Sequence, residues 1–126
     1  MRGATLFRAS TPAARARFLY RWFSTAANEL ADVTIVNDEE SANRVLKVLM
    51  SPALRDQYHA CDTEVANIDL GEESPVGHGE VTCMSIYCGP HVNFGNGPKL
   101  WIDNLDKAKG TLNLFKDYLE DHNILK

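Results

Sequence analysis

One short segment limits what this chain can fold into more than any other. Residues 60–65 (ACDTEV) combine small and β-branched side chains with two acids, and turn-forming residues follow further along the chain. This composition predicts a β-strand. Side chains alternate between the two faces of a strand, so Asp62 and Glu64 are expected on the same side, roughly 7 Å apart along it.

The pair of carboxylates has two interpretations. Asp-x-Glu arises by chance in many sequences, and two acids on a strand are often simply solvated. In an apolar strand, however, the pair is costly unless cations neutralise it. Carboxylate oxygens suit hard divalent cations such as Mg²⁺ or Mn²⁺. Asp62 and Glu64 are therefore candidate metal ligands.

The charge of the chain divides sharply along its length. Residues 1–28 contain no acid and five of the 13 basic residues, which leaves eight to set against all 17 acids in the remainder. A segment rich in Arg, Ala, Ser and Thr is typical of an organelle transit peptide, and we expect cleavage after Phe23 and import into the mitochondrion or the plastid. The alternative is a basic arm that binds nucleic acid or a membrane surface.

The acidic remainder restricts the other function classes. It lacks the basic stripe of a module that holds nucleic acid by charge alone. No apolar run approaches the length of a membrane span, so no membrane partner is expected. The three cysteines, Cys61, Cys83 and Cys88, have no zinc-ligand spacing and no secretory signal beside them, and we predict that they are small core residues.

Apolar periodicity predicts the remaining elements. A strand is expected at 33–36, a helix over 40–50 with Asp38 as a candidate N-cap, central and third strands at 80–88 and 100–103, and a final helix over about 110–121. Trp101 is predicted to pack in the core. A helix that leaves an open mixed sheet normally crosses to a parallel strand, and residues 123–126 look like its beginning. The fold is therefore expected to stop part-way.

Several separate strings then resemble one family. Residues 32–40 (DVTIVNDEE), 59–65 (HACDTEV), 75–81 (PVGHGEV) and 85–90 (SIYCGP) are similar, in this order and spacing, to the 3′–5′ exonuclease domain of family A DNA polymerases. The strings are closest to the plant-type organellar polymerases, and the resemblance covers about residues 32–126. It implies an α/β, ribonuclease H-like fold, a mixed sheet with flanking helices, truncated after its first three core strands.

The resemblance also implies an activity. Family members remove nucleotides from a DNA 3′ end with two divalent metal ions, in organellar DNA replication and repair. Asp62 and Glu64 match the first acidic motif of the family as catalytic residues and metal ligands. By this match Asp62 bridges both ions and Glu64 holds the ion that activates the attacking water. The domain organisation would be a transit peptide at 1–28, a lead-in strand and helix at 29–57, and an incomplete exonuclease domain at 58–126.

The match is incomplete, and alternatives follow from that. The second and third acidic motifs of the family are missing downstream of Asp62, and two carboxylates carry too little charge to hold two Mg²⁺ ions against their mutual repulsion. A second hypothesis is a non-catalytic, truncated gene product that either folds poorly or binds a polymerase domain or a replication protein through an open sheet edge. A third is an RNA-trimming exonuclease of the same superfamily, because the first motif does not distinguish DNA from RNA.

Overall fold

The protein is described by a computed structural model that covers residues 31–69, 71–74 and 76–126. The segment interpreted as a transit peptide, 1–28, lies outside the described residues. Residues Asp32–Lys126 form one compact unit. No helix within the described ranges is long and apolar enough to cross a membrane.

Within the described residues, four strands form a single mixed sheet. In chain order they are β1 (Val33–Val36), β2 (Ala60–Ala66), β3 (Glu80–Tyr87) and β4 (Lys99–Asp103). Their order across the sheet is β1-β4-β3-β2, with β2, β3 and β4 antiparallel to one another and β1 parallel to β4. The predicted strands and the predicted meander are confirmed, and β3 is central as expected.

The two faces of the sheet differ in burial. Paired residues on neighbouring strands point to the same face, and one face is buried, with Val36, Met84, Ile86, Leu100 and Ile102 all at 2% exposure or less. Helical segments cover this core face and contribute Val45, Leu49, Phe115 and Tyr118 to the same core cluster. The opposite side, which we call the open face, carries Ile35, Asp62, Glu64, Tyr87 and Trp101, all of them exposed.

Helix α1 (Glu39–Leu49) begins at the predicted N-cap. The Asp38 carboxylate accepts a hydrogen bond of 2.7 Å from the Ser41 backbone N–H, and the Ser41 hydroxyl accepts one of 3.3 Å from the Asp38 N–H. These bonds satisfy backbone donors that have no partner inside the helix. The hydrogen bonds from the Ser41 side chain and backbone hold the pKa of Asp38 below its ordinary value.

The final helix is shorter than predicted. Residues Thr111–Phe115 form a 3₁₀ segment, and only Lys116–Glu120 (α2) are α-helical. The Asn104 carboxamide oxygen accepts hydrogen bonds from the N–H groups of Gly110 and Leu112, at 2.9 and 3.2 Å. The first turn is thus tied to the end of β4 and takes the tighter geometry that is common at helix ends.

The last residues turn towards the free edge of β2. The His59 N–H donates a hydrogen bond of 2.8 Å to the Leu125 carbonyl, and Tyr58 and Leu125 form a parallel β-bridge. This agrees with the expectation that 123–126 begin a parallel strand. The mixed sheet, the flanking helices and this last bridge together agree with the expected α/β, ribonuclease H-like fold.

Two burial predictions are wrong. Trp101 is 41% exposed, because its position on β4 alternates onto the open face. Cys61 is exposed, because β2 lies at the edge of the sheet, whereas Cys83 and Cys88 are buried as predicted.

Candidate functional site

Both predicted site residues lie on β2 and share the open face. Asp62 pairs with Ser85 of β3, and Glu64 pairs with Cys83. Both residues are exposed within the described part of the chain, so solvent or a ligand can reach them there. One Asp62 oxygen accepts a hydrogen bond of 3.0 Å from the Thr63 N–H, which restrains the side chain.

A β-bulge lies directly beside Glu64. The pairing changes from Glu64–Cys83 to Val65–Val81, so Thr82 is the extra residue on β3. The Thr82 hydroxyl donates a hydrogen bond of 3.1 Å to the Glu64 carbonyl and thereby ties the bulge to β2. Bulges redirect the side chains beside them and are common next to active sites.

The immediate surroundings of the pair supply few further ligands. Asp103 lies on the same row as Glu64 and Cys83, but two strands away from Glu64, and one of its oxygens accepts a hydrogen bond of 3.0 Å from Leu105 N–H. Across residues 31–69, 71–74 and 76–126, no three His, Cys, Asp or Glu side chains come close enough to hold one metal ion. The described domain therefore brings together two carboxylates, and not more.

Two carboxylates suit one hard divalent cation. Mg²⁺ keeps several waters and is usually bound by one or two protein carboxylates together with phosphate oxygens of the substrate. Exposed oxygens on one strand face fit this pattern. Two cations held at once would need further oxygen ligands besides Asp62 and Glu64.

A buried network that no sequence pattern predicts fixes the start of β2. His59 is 1% exposed; its Nε2 lies 3.1 Å from the Leu54 carbonyl and its Nδ1 lies 2.9 Å from the Tyr118 hydroxyl. A carbonyl can only accept, so Nε2 carries the hydrogen. In the neutral ring Nδ1 is then the acceptor, and the tyrosine hydroxyl donates to it.

The network continues to the exposed edge of the strand. Cys61 Sγ lies 3.6 Å from the Tyr118 hydroxyl, and Lys126 Nζ lies 5.2 Å from the centre of the Tyr118 ring. Burial is the main cause that raises the pKa of Tyr118, and burial also raises the pKa of the Cys88 thiol to about 11. Burial therefore favours the neutral form of both groups.

A shallow depression extends from Asp62 across the open face. Its volume is about 540 Å³. The open-face side chains that line it include Val33, Ala60, Asp62, Ser85, Tyr87, Lys99 and Trp101. The sequence predicts that Trp101 packs in the core, and it predicts no role for Tyr87. Their alternation with the apolar residues Ile86, Leu100 and Ile102 is the signal that could have placed them on the opposite face.

The described residues thus form an α/β domain of ribonuclease H-like topology with two acids on its edge strand. The chain is 48% identical over 98 residues, 75% of its length, to the protein named DNA polymerase I B, mitochondrial, of Oryza sativa subsp. japonica. It is 44% identical over 96 residues to DNA polymerase I A, chloroplastic/mitochondrial, of Arabidopsis thaliana. Over these residues the chain is related to plant organellar DNA polymerases of the DNA polymerase I type, of which it matches one segment.

The extent of this similarity is limited. The chain spans about 9% of the length of these relatives. The relatives are named for the mitochondrion, the chloroplast or both, which confirms the organellar location predicted from the sequence. No protein-family model matches the chain, and no solved structure matches it.

Proposed function

We propose that the described domain contributes the first acidic motif of a 3′–5′ exonuclease that acts on DNA 3′ ends in organellar replication or repair. The observation that carries the proposal is the placement of Asp62 and Glu64 together on the open side of an edge strand. Substrate can approach both carboxylates there without displacing any part of the fold.

The two carboxylates are proposed to hold Mg²⁺ or Mn²⁺. When bound, such a cation lowers the pKa of a coordinated water and stabilises charge on the leaving 3′-oxygen. Asp62 and Glu64 provide anionic oxygens, the Thr63 N–H restrains Asp62, and the bulge at Thr82 fixes the backbone at Glu64. Full two-metal chemistry needs further carboxylates beyond these two.

DNA is the proposed substrate because the relatives are DNA polymerases. The carboxylate pair alone does not discriminate against RNA, since neither side chain is placed to recognise a 2′-hydroxyl. An RNA-trimming activity is thus a distinct outcome of the same assay.

The test is cleavage by a chain extended with the stretch that follows the matched region in the rice mitochondrial relative. Shortening of a 5′-labelled single strand from its 3′ end is measured for DNA and for RNA of the same sequence, with Mg²⁺ and with EDTA. We expect Mg²⁺-dependent shortening of DNA. Asp62→Ala is expected to lower the rate about 100-fold or more, because the loss of a metal ligand removes several kcal/mol of transition-state stabilisation.

Glu72→Ala is the matched control, since Glu72 is an exposed acid in the loop after β2. It is expected to retain the rate of the parent chain. Wild-type rates in Asp62→Ala would contradict the proposal, and preferential shortening of RNA would replace it with the RNA-trimming function.

A second candidate is a non-catalytic domain that binds a polymerase domain or a replication protein through an added strand. The free edge of β2 favours it, because the chain already begins to pair there, in parallel, at Tyr58 and Leu125. This candidate predicts that Mg²⁺ and Mn²⁺ leave the melting temperature of the chain unchanged. A metal-induced rise that is lost in Asp62→Ala would contradict it.

A further inference from the structure

We propose that the open face is a base-stacking platform, on which Trp101 and Tyr87 bind the bases of a single DNA strand whose end lies at Asp62. The proposal rests on the proposed function for the identity of the ligand. Its geometry and its test do not depend on metal binding or on cleavage.

A row of paired residues connects the platform to the carboxylates. Trp101 of β4 pairs with Ser85 of β3, and Ser85 pairs with Asp62 of β2. Neighbouring strands lie about 4.8 Å apart, so the backbones at Trp101 and Asp62 are roughly 10 Å apart. Tyr87 is the diagonal neighbour of Trp101 across the β3–β4 pair, at a distance of about 7–8 Å.

The burial of the two rings suits stacking. Trp101 and Tyr87 are each 41% exposed, so the protein holds part of each ring in place while the rest faces solvent. The depression between them and Asp62 measures about 540 Å³, within the usual range of ligand sites. Four-stranded sheets with exposed aromatic side chains bind single-stranded nucleic acid in this way, because every base offers a face for stacking.

The carboxylates of Asp62 and Glu64 repel phosphates, so a single strand must meet the open face through its bases, and the same carboxylates disfavour a protein partner. A protein that covered the face would remove the unpaired carboxylates of Asp62 and Glu64 from water, which is costly. A single strand that stacks through its bases leaves them hydrated. Lys99, at the Tyr87 end, lies 3.0 Å from the Asp32 carboxylate and is 54% exposed, so it retains hydrogen-bond donors for a phosphate.

Fluorescence of Trp101 tests the proposal directly. The chain contains two tryptophans, so Trp22→Phe leaves Trp101 as the only one. This chain is titrated with a thymidine dodecamer in EDTA at about 0.3 M salt, which weakens phosphate contacts made by the arginines of 1–28. We expect saturable quenching of Trp101 emission. DNA binding without a change in that emission would overturn the proposal.

Substitutions then separate stacking from charge. Measured by anisotropy of a labelled dodecamer, Trp101→Leu and Tyr87→Leu are each expected to weaken Kd by about 5- to 150-fold, whereas Trp101→Phe retains most of the affinity. Leu119→Ala, at an apolar residue of α2 that is 38% exposed on the other side of the sheet, is the control and leaves Kd unchanged. Unchanged Kd in both leucine variants, with their folds intact by circular dichroism, would overturn the proposal.

A second copy of the chain is the competing occupant. If the Trp101 emission responds to protein concentration rather than to DNA, and sedimentation detects a dimer that Trp101→Leu abolishes, the face is a self-association surface and the proposal is wrong. Quenching is measured in EDTA and cleavage is measured separately with Mg²⁺ on the extended chain, so quenching without cleavage and cleavage without quenching are distinguishable results. Quenching without cleavage would support the stacking platform alone, and cleavage without quenching would support the exonuclease function alone.

Discussion

His59 and Tyr118 are stacked in the core at a ring-centre distance of 5.7 Å, and a hydrogen bond of 2.9 Å joins His59 Nδ1 to the tyrosine hydroxyl. One residue stands just before the strand that carries both carboxylates, and the other lies in the last helix. Their contact fixes the start of β2 against the core although 59 positions separate them in the sequence.

This contact predicts a stability loss in Tyr118→Phe. The ring still fills its site, but the His59 nitrogen loses its donor and is left buried without a partner. The free energy of unfolding is expected to fall by about 1–3 kcal/mol, measured by urea denaturation. Tyr58→Phe changes an exposed hydroxyl and is expected to have no effect. Equal stabilities of Tyr118→Phe and the wild type would show that the bond contributes nothing.

The N-cap of α1 predicts a pH dependence. The hydrogen bonds from Ser41 lower the pKa of Asp38 from its ordinary value of 3.8, so the charged form is favoured in the folded state. Its contribution to stability is present above the ordinary pKa and is lost as the pH falls through the lowered one. Asp38→Ala is therefore expected to lower the melting temperature at pH 7, and the difference from wild type should shrink below about pH 4.

Asp38→Asn provides the control for this prediction. Asparagine caps helices as well as aspartate does but does not titrate. Asp38→Asn should keep most of the stability at pH 7. On acidification it should not show the additional stability loss that protonation of Asp38 causes in the wild type. A difference between wild type and Asp38→Ala that stays constant from pH 7 to pH 3 would contradict the assignment.

Two glycines with positive φ predict contrasting effects. A Cβ at Gly97 would lie 2.6 Å from the Asp32 carbonyl oxygen and 2.9 Å from Asp32 Cα, whereas a Cβ at Gly77 would meet nothing within 4 Å. Both substitutions by alanine strain the backbone, but only the first also forces two backbone segments apart. Gly97→Ala is expected to lower the melting temperature more than Gly77→Ala does. The reverse order would contradict the close approach of the two segments.

The three cysteines should differ in reactivity. Cys61 is exposed, whereas Cys83 and Cys88 are buried and the pKa of Cys88 is raised to about 11. With a thiol reagent at pH 8, the native chain should react rapidly at one cysteine, and Cys61→Ser should remove that phase. All three should react in denaturant. Rapid native labelling that persists in Cys61→Ser would contradict the placement of Cys61 at the exposed edge.

Local patterns in the sequence are enough to predict most of the strands and helices. Alternation and turn residues predict β1 to β4, and Asp38 marks the start of α1, because these signals act within a few residues. The resemblance at residues 59–65 places Asp62 and Glu64 on one strand. Each of these predictions depends on neighbours in the chain.

Features that depend on distant contacts could not be predicted in the same way. Trp101 has the composition of a core residue, and only the pairing of β4 with β3 puts it on the open face. The 3₁₀ start of the last helix comes from the Asn104 side chain, and the His59–Tyr118 contact joins segments far apart in sequence. Tertiary context decides all three.

Mn²⁺ binding by the 126-residue chain, followed by electron paramagnetic resonance of the free ion, tests the metal site without any cleavage assay. One Mn²⁺ is expected to bind, and the double substitution Asp62→Asn with Glu64→Gln is expected to abolish binding. Glu72→Gln with Glu73→Gln removes the same charge from the neighbouring loop and should retain it. Equal Mn²⁺ binding by the wild type and both double variants would contradict a metal site at Asp62 and Glu64.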